Sequence, residues 1–326
     1  MRKKSCYIGI DLGGTSLRAL VVDRDYKILA AEKTRTRAER RAKAVVEEII
    51  ELAASALDAA KMEPRDLRVL SAGAPGAVDW RRGIVERAPN LGWTRVPLAA
   101  YLRKRFRVPV MVDNDVNVGV VGEHALGAGR GVKQLVGIFV GTGIGGGLIF
   151  DGKLYEGSRG GAGEIGHTVV MVDGPLCSCG RHGCIEALAS RTAMERDVRA
   201  AIKAGRKSRV LKIMKKKGHV RVTSSVIHAA LKEHDPVMRE VMRRAQYYLG
   251  ILAANAVNLL DPECVVFGGG LVDRMGEDFV APIRRTAREN FLDARDAERA
   301  KILPGSLGDN AGALGAVVLA RQRLGL

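Results

Sequence analysis

No stretch of this chain is apolar for long enough to cross a membrane. The longest charge-free stretch near its middle, residues 135–150, has 16 residues and six glycines, too short and too poor in apolar content for a spanning helix. The apolar core of a secretory leader is missing too. After Arg2-Lys3-Lys4, the run 5–10 is cut by Asp11 and Gly13-Gly14, so a cytoplasmic protein is expected. Cysteine is scarce, with five in 326 residues, and acids are outnumbered, 36 Asp+Glu facing 53 Lys+Arg for a net charge of +17. What is present, 47% hydrophobic and 27% charged residues, is the composition of a folded globular chain and excludes disorder. The length predicts about two domains.

The positive charge is concentrated. Residues 2–4 carry +3, 33–43 carry +5, 103–107 carry +4 and 199–217 carry +9, together more than the whole excess. Such blocks can attract nucleic acid, acidic membrane or a polyanionic substrate. They also fit solvated helix faces. The block 199–217 has Ala200, Ala201, Ile202, Val210, Leu211, Ile213 and Met214 as its apolar side and a break at Gly205, which favours the solvated reading.

Two segments repeat one pattern. Residues 5–11, 16–23 and 27–32 read as three strands with a Gly-Gly turn between the first two. Residues 134–140, 147–151 and 153–156 repeat the sequence strand, glycine turn, strand, turn, strand. A helix from about Ala38 to Lys61 follows the first copy, and strands are expected at 67–72 and 108–112. Later helices are expected at 186–204, 225–232, 237–260 and 312–324, with a strand at 264–267. This alternation predicts a duplicated α/β fold with a mixed sheet in each half. The expected domains are 1–116 and 117–311, with the terminal helix 312–326 packing back on the first.

The glycine turns invite two misreadings. Gly141, Gly143 and Gly146 match a dinucleotide fingerprint, but the following segment is β-like rather than the helix such a site requires. Gly147, Gly152 and Lys153 match a P-loop, but Leu154 stands where Ser or Thr must hold magnesium. What remains is Asp11-Leu12-Gly13-Gly14-Thr15 and Gly141-Thr142-Gly143, each between two strands. Turns of this kind bring backbone N–H groups close to phosphate oxygens, and the threonines add donors.

Two further constellations carry chemistry. Cys177, Cys179 and Cys184 form CxCxxxxC, and without a secretion signal such clustering favours metal over disulfides. A tetrahedral zinc site needs a fourth ligand, for which His167 and His182 are the candidates. Residues 108–112 run into Asp113-Asn114-Asp115-Val116-Asn117, a strand-to-helix junction where a carboxylate could accept the proton of an attacking hydroxyl. Either aspartate could serve as base, or merely cap the helix.

From residue 6 to 320 the chain resembles the ROK family (repressors, open reading frames, kinases) of the sugar kinase, actin and hexokinase superfamily. The resemblance rests on the two glycine turns, Asn114-Asp115-Val116-Asn117, Glu164-Ile165-Gly166-His167, and CxCGxxGCxE ending at Glu186. Pro89-Asn90-Leu91-Gly92-Trp93 and Gly268-Gly269-Gly270 fit as well. It implies a hexokinase-like (ribonuclease H-like) duplication with a cleft between the domains, and an ATP-dependent kinase acting on the C6 hydroxyl of a hexose, glucose first.

The same resemblance implies residue roles. Asp115 is the base and Asn114 a sugar ligand, joined by Asn90, Glu164, His167 and Glu186. Asp11, Gly13, Gly14, Thr15, Thr142 and Gly143 are expected at the phosphates with Mg²⁺, and Gly268, Gly269 and Gly270 at the adenosine, where absent side chains leave room. His167, Cys177, Cys179 and Cys184 hold a structural Zn²⁺. Asp113 takes a supporting role. Relatives are commonly dimers or tetramers, so a homo-oligomer is expected, without nucleic acid or membrane partners. Mannose, fructose, allose or an N-acetylated hexosamine as substrate, and polyphosphate as donor, are alternatives. So is a sugar-responsive repressor, although a DNA-binding domain would precede Asp11, which lies near the start.

Overall fold

A computed structural model describes residues 5–37 and 41–326, the side chains of 296 and 297 excepted. The basic run 2–4, part of the block 33–43 and the expected helix start at Ala38 lie outside the described residues. The chain forms two units, one of 1–131, 154–162 and 310–326, the other of 132–153 and 163–309.

In the first unit, β1 (Cys6–Leu12), β2 (Ser16–Val22) and β3 (Ile28–Arg35) form a meander. Helix α1 (Ala42–Ala59) follows, then β4 (Leu67–Ala74). A small antiparallel sheet of β5 (Ala77–Asp79), β6 (Ile84–Ala88) and β7 (Trp93–Val96) comes next, a set of strands the sequence reading did not find. Helix α2 (Leu98–Phe106), β8 (Val110–Asn114) and α3 (Asp115–Leu126) complete it. The main sheet has the order β3-β2-β1-β4-β8, with β1 antiparallel to β2 and parallel to β4. Every residue of β1 except Asp11 is buried, because both of its faces are covered. Ile8 and Ile10 join Val45, Val46 and Ile49 of α1 in one cluster. On the other face Gly9 lets the terminal helix Ala311–Leu324 approach, since a Cβ there would lie 2.0 Å from the Ala313 carbonyl oxygen.

The second unit repeats that order. Strands β9 (Leu135–Val140), β10 (Ile144–Phe150), β11 (Lys153–Leu154), β12 (Cys264–Gly268) and β13 (Lys301–Pro304) form a sheet β11-β10-β9-β12-β13. Here β9 is antiparallel to β10 and parallel to β12. Both sheets are therefore mixed, as the repeated pattern predicts. Between β11 and β12 lie α4 (Ile185–Ala189), α5 (Arg191–Lys203), α6 (Val210–Lys216), α7 (Ser224–Lys232) and α8 (Pro236–Leu260). The single helix expected over 186–204 is two, because Ser190 is extended and caps α5 through its hydroxyl, which accepts from Ala193 N. Helix α8 starts on the Asp235 cap with Pro236 at its first position, and buries Val241, Leu249 and Ala253 with Phe267 of β12.

The division falls after Gly131, whereas the sequence reading put it at 116/117. The cause is α3, which packs on the terminal helix: a Cβ on Gly315 would lie 1.7 Å from the Val118 carbonyl oxygen and one on Gly122 2.4 Å from that of Ala311. Backbones this close make α3 part of the first unit.

Candidate active site

Asp115 begins α3, and Asn114 caps it. The Asn114 Oδ1 accepts from Val116 N at 2.9 Å and Asn117 N at 3.1 Å, while its Nδ2 donates to the Gly76 carbonyl at 3.0 Å. The cap role considered for either aspartate thus belongs to the asparagine, whose side chain is partly engaged before any ligand arrives. Gly73 of β4 makes room for Asp115, as a Cβ there would lie 3.2 Å from the Asp115 Cα. Burial pushes the Asp115 carboxyl up to about 6, against the opposing pull of the Val116 N–H on its Oδ1 at 3.0 Å. A carboxylate poised near neutrality suits proton acceptance.

Asp113 points the other way. Its Oδ1 accepts from Asn114 N at 2.7 Å and Asn117 Nδ2 at 3.2 Å, and its Oδ2 pairs with Arg323 Nη1 at 2.7 Å. Arg323 also pairs with Glu156 and stacks on Trp80, 3.8 Å from the ring centroid. Trp80 Nε1 in turn donates to Glu156 at 2.9 Å. This buried network ties the terminal helix to the turn that carries Asp115.

The first hairpin is closed by Gly13 N donating to the Ser16 carbonyl at 2.9 Å, and held by Thr36, whose hydroxyl donates to the Gly13 carbonyl at 2.8 Å. Gly14 faces Asn90, since a Cβ on it would sit 3.6 Å from the Asn90 Cβ. Asp11 lies against Gly312 of the terminal helix, where a Cβ would meet its carboxylate at 2.7–3.0 Å.

In the second unit, the hairpin 141–143 is gripped from α5. Arg191 N donates to the Gly141 carbonyl at 3.0 Å, and Thr192 Oγ1 to the Thr142 carbonyl at 2.8 Å. Glu186 of α4 leans on the same turn: its Oε2 accepts from Ile144 N at 3.0 Å, and its Oε1 from the Ser178 hydroxyl at 3.0 Å. Gly143 is what admits it, because a Cβ there would lie 2.3 Å from Oε2. Glu164 is exposed just ahead of the short turn Ile165–His167. At Gly268 and Gly269 the space of the missing side chain is filled by protein, by the Phe139 ring at 2.6 Å and the Val140 carbonyl oxygen at 2.6 Å. Their glycines are needed for packing on β9, a different reason from the room for a base expected above.

The donor atoms of His167, Cys177, Cys179 and Cys184 lie within 4.8 Å of one another. His167 Nδ1 is 3.6 Å from Cys177 Sγ, and Cys179 Sγ 3.6 Å from Cys184 Sγ. Tetrahedral zinc, with Zn–S about 2.3 Å and Zn–N about 2.0 Å, sets donor separations of roughly 3.5–3.8 Å. The set fits. Burial, followed by the neighbouring Cys179 and Cys177 thiols, pushes the Cys184 thiol up to about 12, a crowding that a dication would relieve. His182 is turned away, its Nδ1 donating to the Gly174 carbonyl at 2.9 Å. All five cysteines are free.

The model of the ROK family matches residues 7–323. The chain belongs to the ROK family. Among ROK relatives it is 32% identical to a glucokinase of Halalkalibacterium halodurans, over 97% of this chain and 95% of that protein. It is 30% identical to a xylose repressor of Caldicellulosiruptor bescii, over 96% of this chain and 77% of the repressor. A ROK glucokinase of Streptomyces griseus, solved with glucose and AMPPNP, superposes with a TM-score of 0.85 at 35% identity, covering 98% of this chain and all of that one. The ROK motifs read from the sequence are divided between the units, Asp11, Gly13, Gly14, Thr15, Asn90, Asn114 and Asp115 in the first and the remainder in the second. Sequence reasoning missed Arg323, Glu156, Trp80 and Arg191, for which no local pattern exists.

Proposed function

We propose that this protein is an ATP-dependent hexose kinase that phosphorylates the C6 hydroxyl of glucose. The observation that carries the reading is Asp115, a half-buried carboxylate at a helix start with its pKa raised to about 6. The full-length similarity to glucokinases, one of them solved with glucose and AMPPNP, supports glucose as the sugar and ATP as the donor. The similarity to glucokinases supports a cytoplasmic site of action.

In this reading the ionised Asp115 accepts the proton of the C6 hydroxyl as its oxygen attacks the terminal phosphorus and ADP leaves. Asn90, the second N–H of the Asn114 amide, Glu164, His167 and Glu186 orient the sugar, with His167 left Nε2 for that purpose because Nδ1 faces the thiols. Backbone N–H groups of both glycine hairpins and the Thr15 and Thr142 hydroxyls orient the phosphates, and the loop Gly268-Gly269-Gly270 the nucleoside. Mg²⁺, when bound with the nucleotide near Asp11, neutralises phosphate charge. Zn²⁺, when bound to His167, Cys177, Cys179 and Cys184, fixes a loop with little core of its own. The assembly is expected to be a homo-oligomer.

The test is ADP release over a panel of hexoses, with ATP and with polyphosphate as donors. Glucose with ATP is expected to give the highest turnover. No turnover with any hexose, combined with sequence-specific DNA binding at physiological salt, would instead support a sugar-responsive regulator, the reading favoured by the xylose repressor relative.

A further inference from the structure

Arg191 stands beside the second hairpin with no ion pair of its own among the described residues. Its Nη2 donates to Thr142 Oγ1 at 2.5 Å. A guanidinium has five N–H donors and no acceptor, and this is the one side-chain hydrogen bond Arg191 makes among the described residues. The expected counter-ion is Glu195, one helical turn further on. Glu195 is already committed: Oε1 receives Arg199 Nε and Nη2 at 2.9 and 2.8 Å, and Oε2 receives Arg221 Nε at 2.8 Å and Val222 N at 3.2 Å. Among the described residues no carboxylate pairs with Arg191, which is half-buried. Burial, followed by the neighbouring Arg221, pulls its pKa below the usual range, against the smaller opposing pull of the Glu195 charge. A cation in that position is destabilised until an anion joins it.

Thr142 completes the arrangement. Its oxygen accepts from Arg191, so its own hydrogen remains available to donate. The turn therefore presents a full positive charge, the unused edge of a planar donor fork and a hydroxyl hydrogen within a few ångströms. That combination matches the oxygens of a phosphate group. It is also selective against a neutral ligand, because a sugar hydroxyl would leave the charge uncompensated.

We propose that Arg191 is a phosphate-binding residue that holds the donor's phosphate chain on the turn Gly141-Thr142-Gly143. The proposal rests on the kinase reading above, since it assigns this turn to the donor. The chain of phosphates could belong to a nucleoside triphosphate or to a polyphosphate, whose oxygens are the same.

Calorimetric titration of wild type, R191A and R191Q with ATP, with polyphosphate and with adenosine, alongside KM for ATP and glucose, tests it. R191A is expected to weaken ATP binding by roughly 10- to 100-fold, the loss expected for charge-assisted hydrogen bonds, with adenosine affinity and the glucose KM unchanged. R191Q keeps a donor for Thr142 and loses the charge, so it should show the same loss and decides the matter if R191A does not fold. A loss confined to ATP identifies the nucleotide as the source of the phosphates, and a loss confined to polyphosphate identifies the polymer. Wild-type affinity for both in the variants overturns the role of Arg191 and leaves the kinase reading standing. A wild type that binds neither donor overturns both.

Discussion

In the first unit the hairpin between β1 and β2 turns through Gly13-Gly14, and a side chain added at Gly14 would make only an ordinary 3.6 Å contact with Asn90. In the second unit the hairpin between β9 and β10 turns through Gly141-Thr142-Gly143, and a side chain added at Gly143 would strike the Glu186 carboxylate at 2.3 Å. The two turns occupy equivalent places in two sheets of the same strand order. At Gly14 the protein leaves room for a methyl group in ordinary contact. At Gly143 the protein fills the space itself, and the chemistry lies in what leans on the turn: Glu186, Arg191 and Thr192. The same glycine pattern is thus packed differently in the two units.

The support behind each turn differs as well. Asp115 is fixed by helix packing and by the Asp113–Arg323–Glu156 network, all ordinary side-chain interactions. His167 and the cysteines sit on a loop whose own buried cluster is Cys177, Cys184 and Ala187, so a metal held by His167, Cys177, Cys179 and Cys184 would add what packing does not.

The largest effect is expected in the first unit. Asp115→Asn should lower kcat by roughly 10²–10⁴ with sugar binding retained. The same substitution should stabilise the fold at neutral pH. Burial raises the folded pKa from 3.8 to about 6, so the ionised form is disfavoured in the folded state. That penalty is absent below about pH 4, develops between about pH 4 and 6, and is complete above. The variant's melting temperature should exceed wild type at pH 7, by a stability difference on the order of 2 kcal/mol, and match it near pH 4. Next in size, Arg323→Ala leaves Asp113 charged and buried, with an expected cost of roughly 3 kcal/mol, read as a lowered urea midpoint.

Metal removal separates the two kinds of support. Chelation should raise the glucose KM by about tenfold or more, restored by added Zn²⁺, while Arg323→Ala should show no such rescue. The hairpins give the smallest and most discriminating contrast. Gly143→Ala should cost roughly 1–3 kcal/mol in stability or kcat/KM, because Glu186 must move. Gly14→Ala should leave the stability within about 0.5 kcal/mol of wild type and raise the KM for ATP. Equal effects at both glycines on both measurements would remove the distinction drawn here.

The sequence made part of this legible. The hairpins, the strand-to-helix junction at Asp115 and the cysteine cluster are local in sequence, and their spacing carries their geometry. Spacing alone left the fourth donor open: His182 lies nearer the cysteines in sequence than His167, yet its ring donates to the Gly174 carbonyl and it is His167 that lies with the thiols. The strands β5, β6 and β7 have three to five residues and interleave Asp79, Glu86, Arg87 and Arg95 with few buried positions, so no apolar run marks them as one marks 67–72 or 264–267. The Arg323–Asp113 pair joins residues 210 positions apart, and the isolation of Arg191 depends on which other arginines claim Glu195. Neither leaves a trace in local pattern. The basic block 199–217 belongs to the same class. Arg199 on α5 pairs with Glu195, and Arg206 and Arg209, in the segment between α5 and α6, pair with Glu240 and Glu233.

The central claim is that Asp115 removes a proton from a hexose. The pH dependence of kcat/KM for glucose, which reports the enzyme before the sugar binds, tests it most directly, because the base must be ionised to work and its pKa is displaced from that of an ordinary aspartate. A single acid limb with a midpoint near pH 6, on which Asp115→Asn retains little activity at any pH, is the predicted result. A rate that stays flat down to about pH 4, or an Asp115→Asn variant with wild-type turnover, would contradict it.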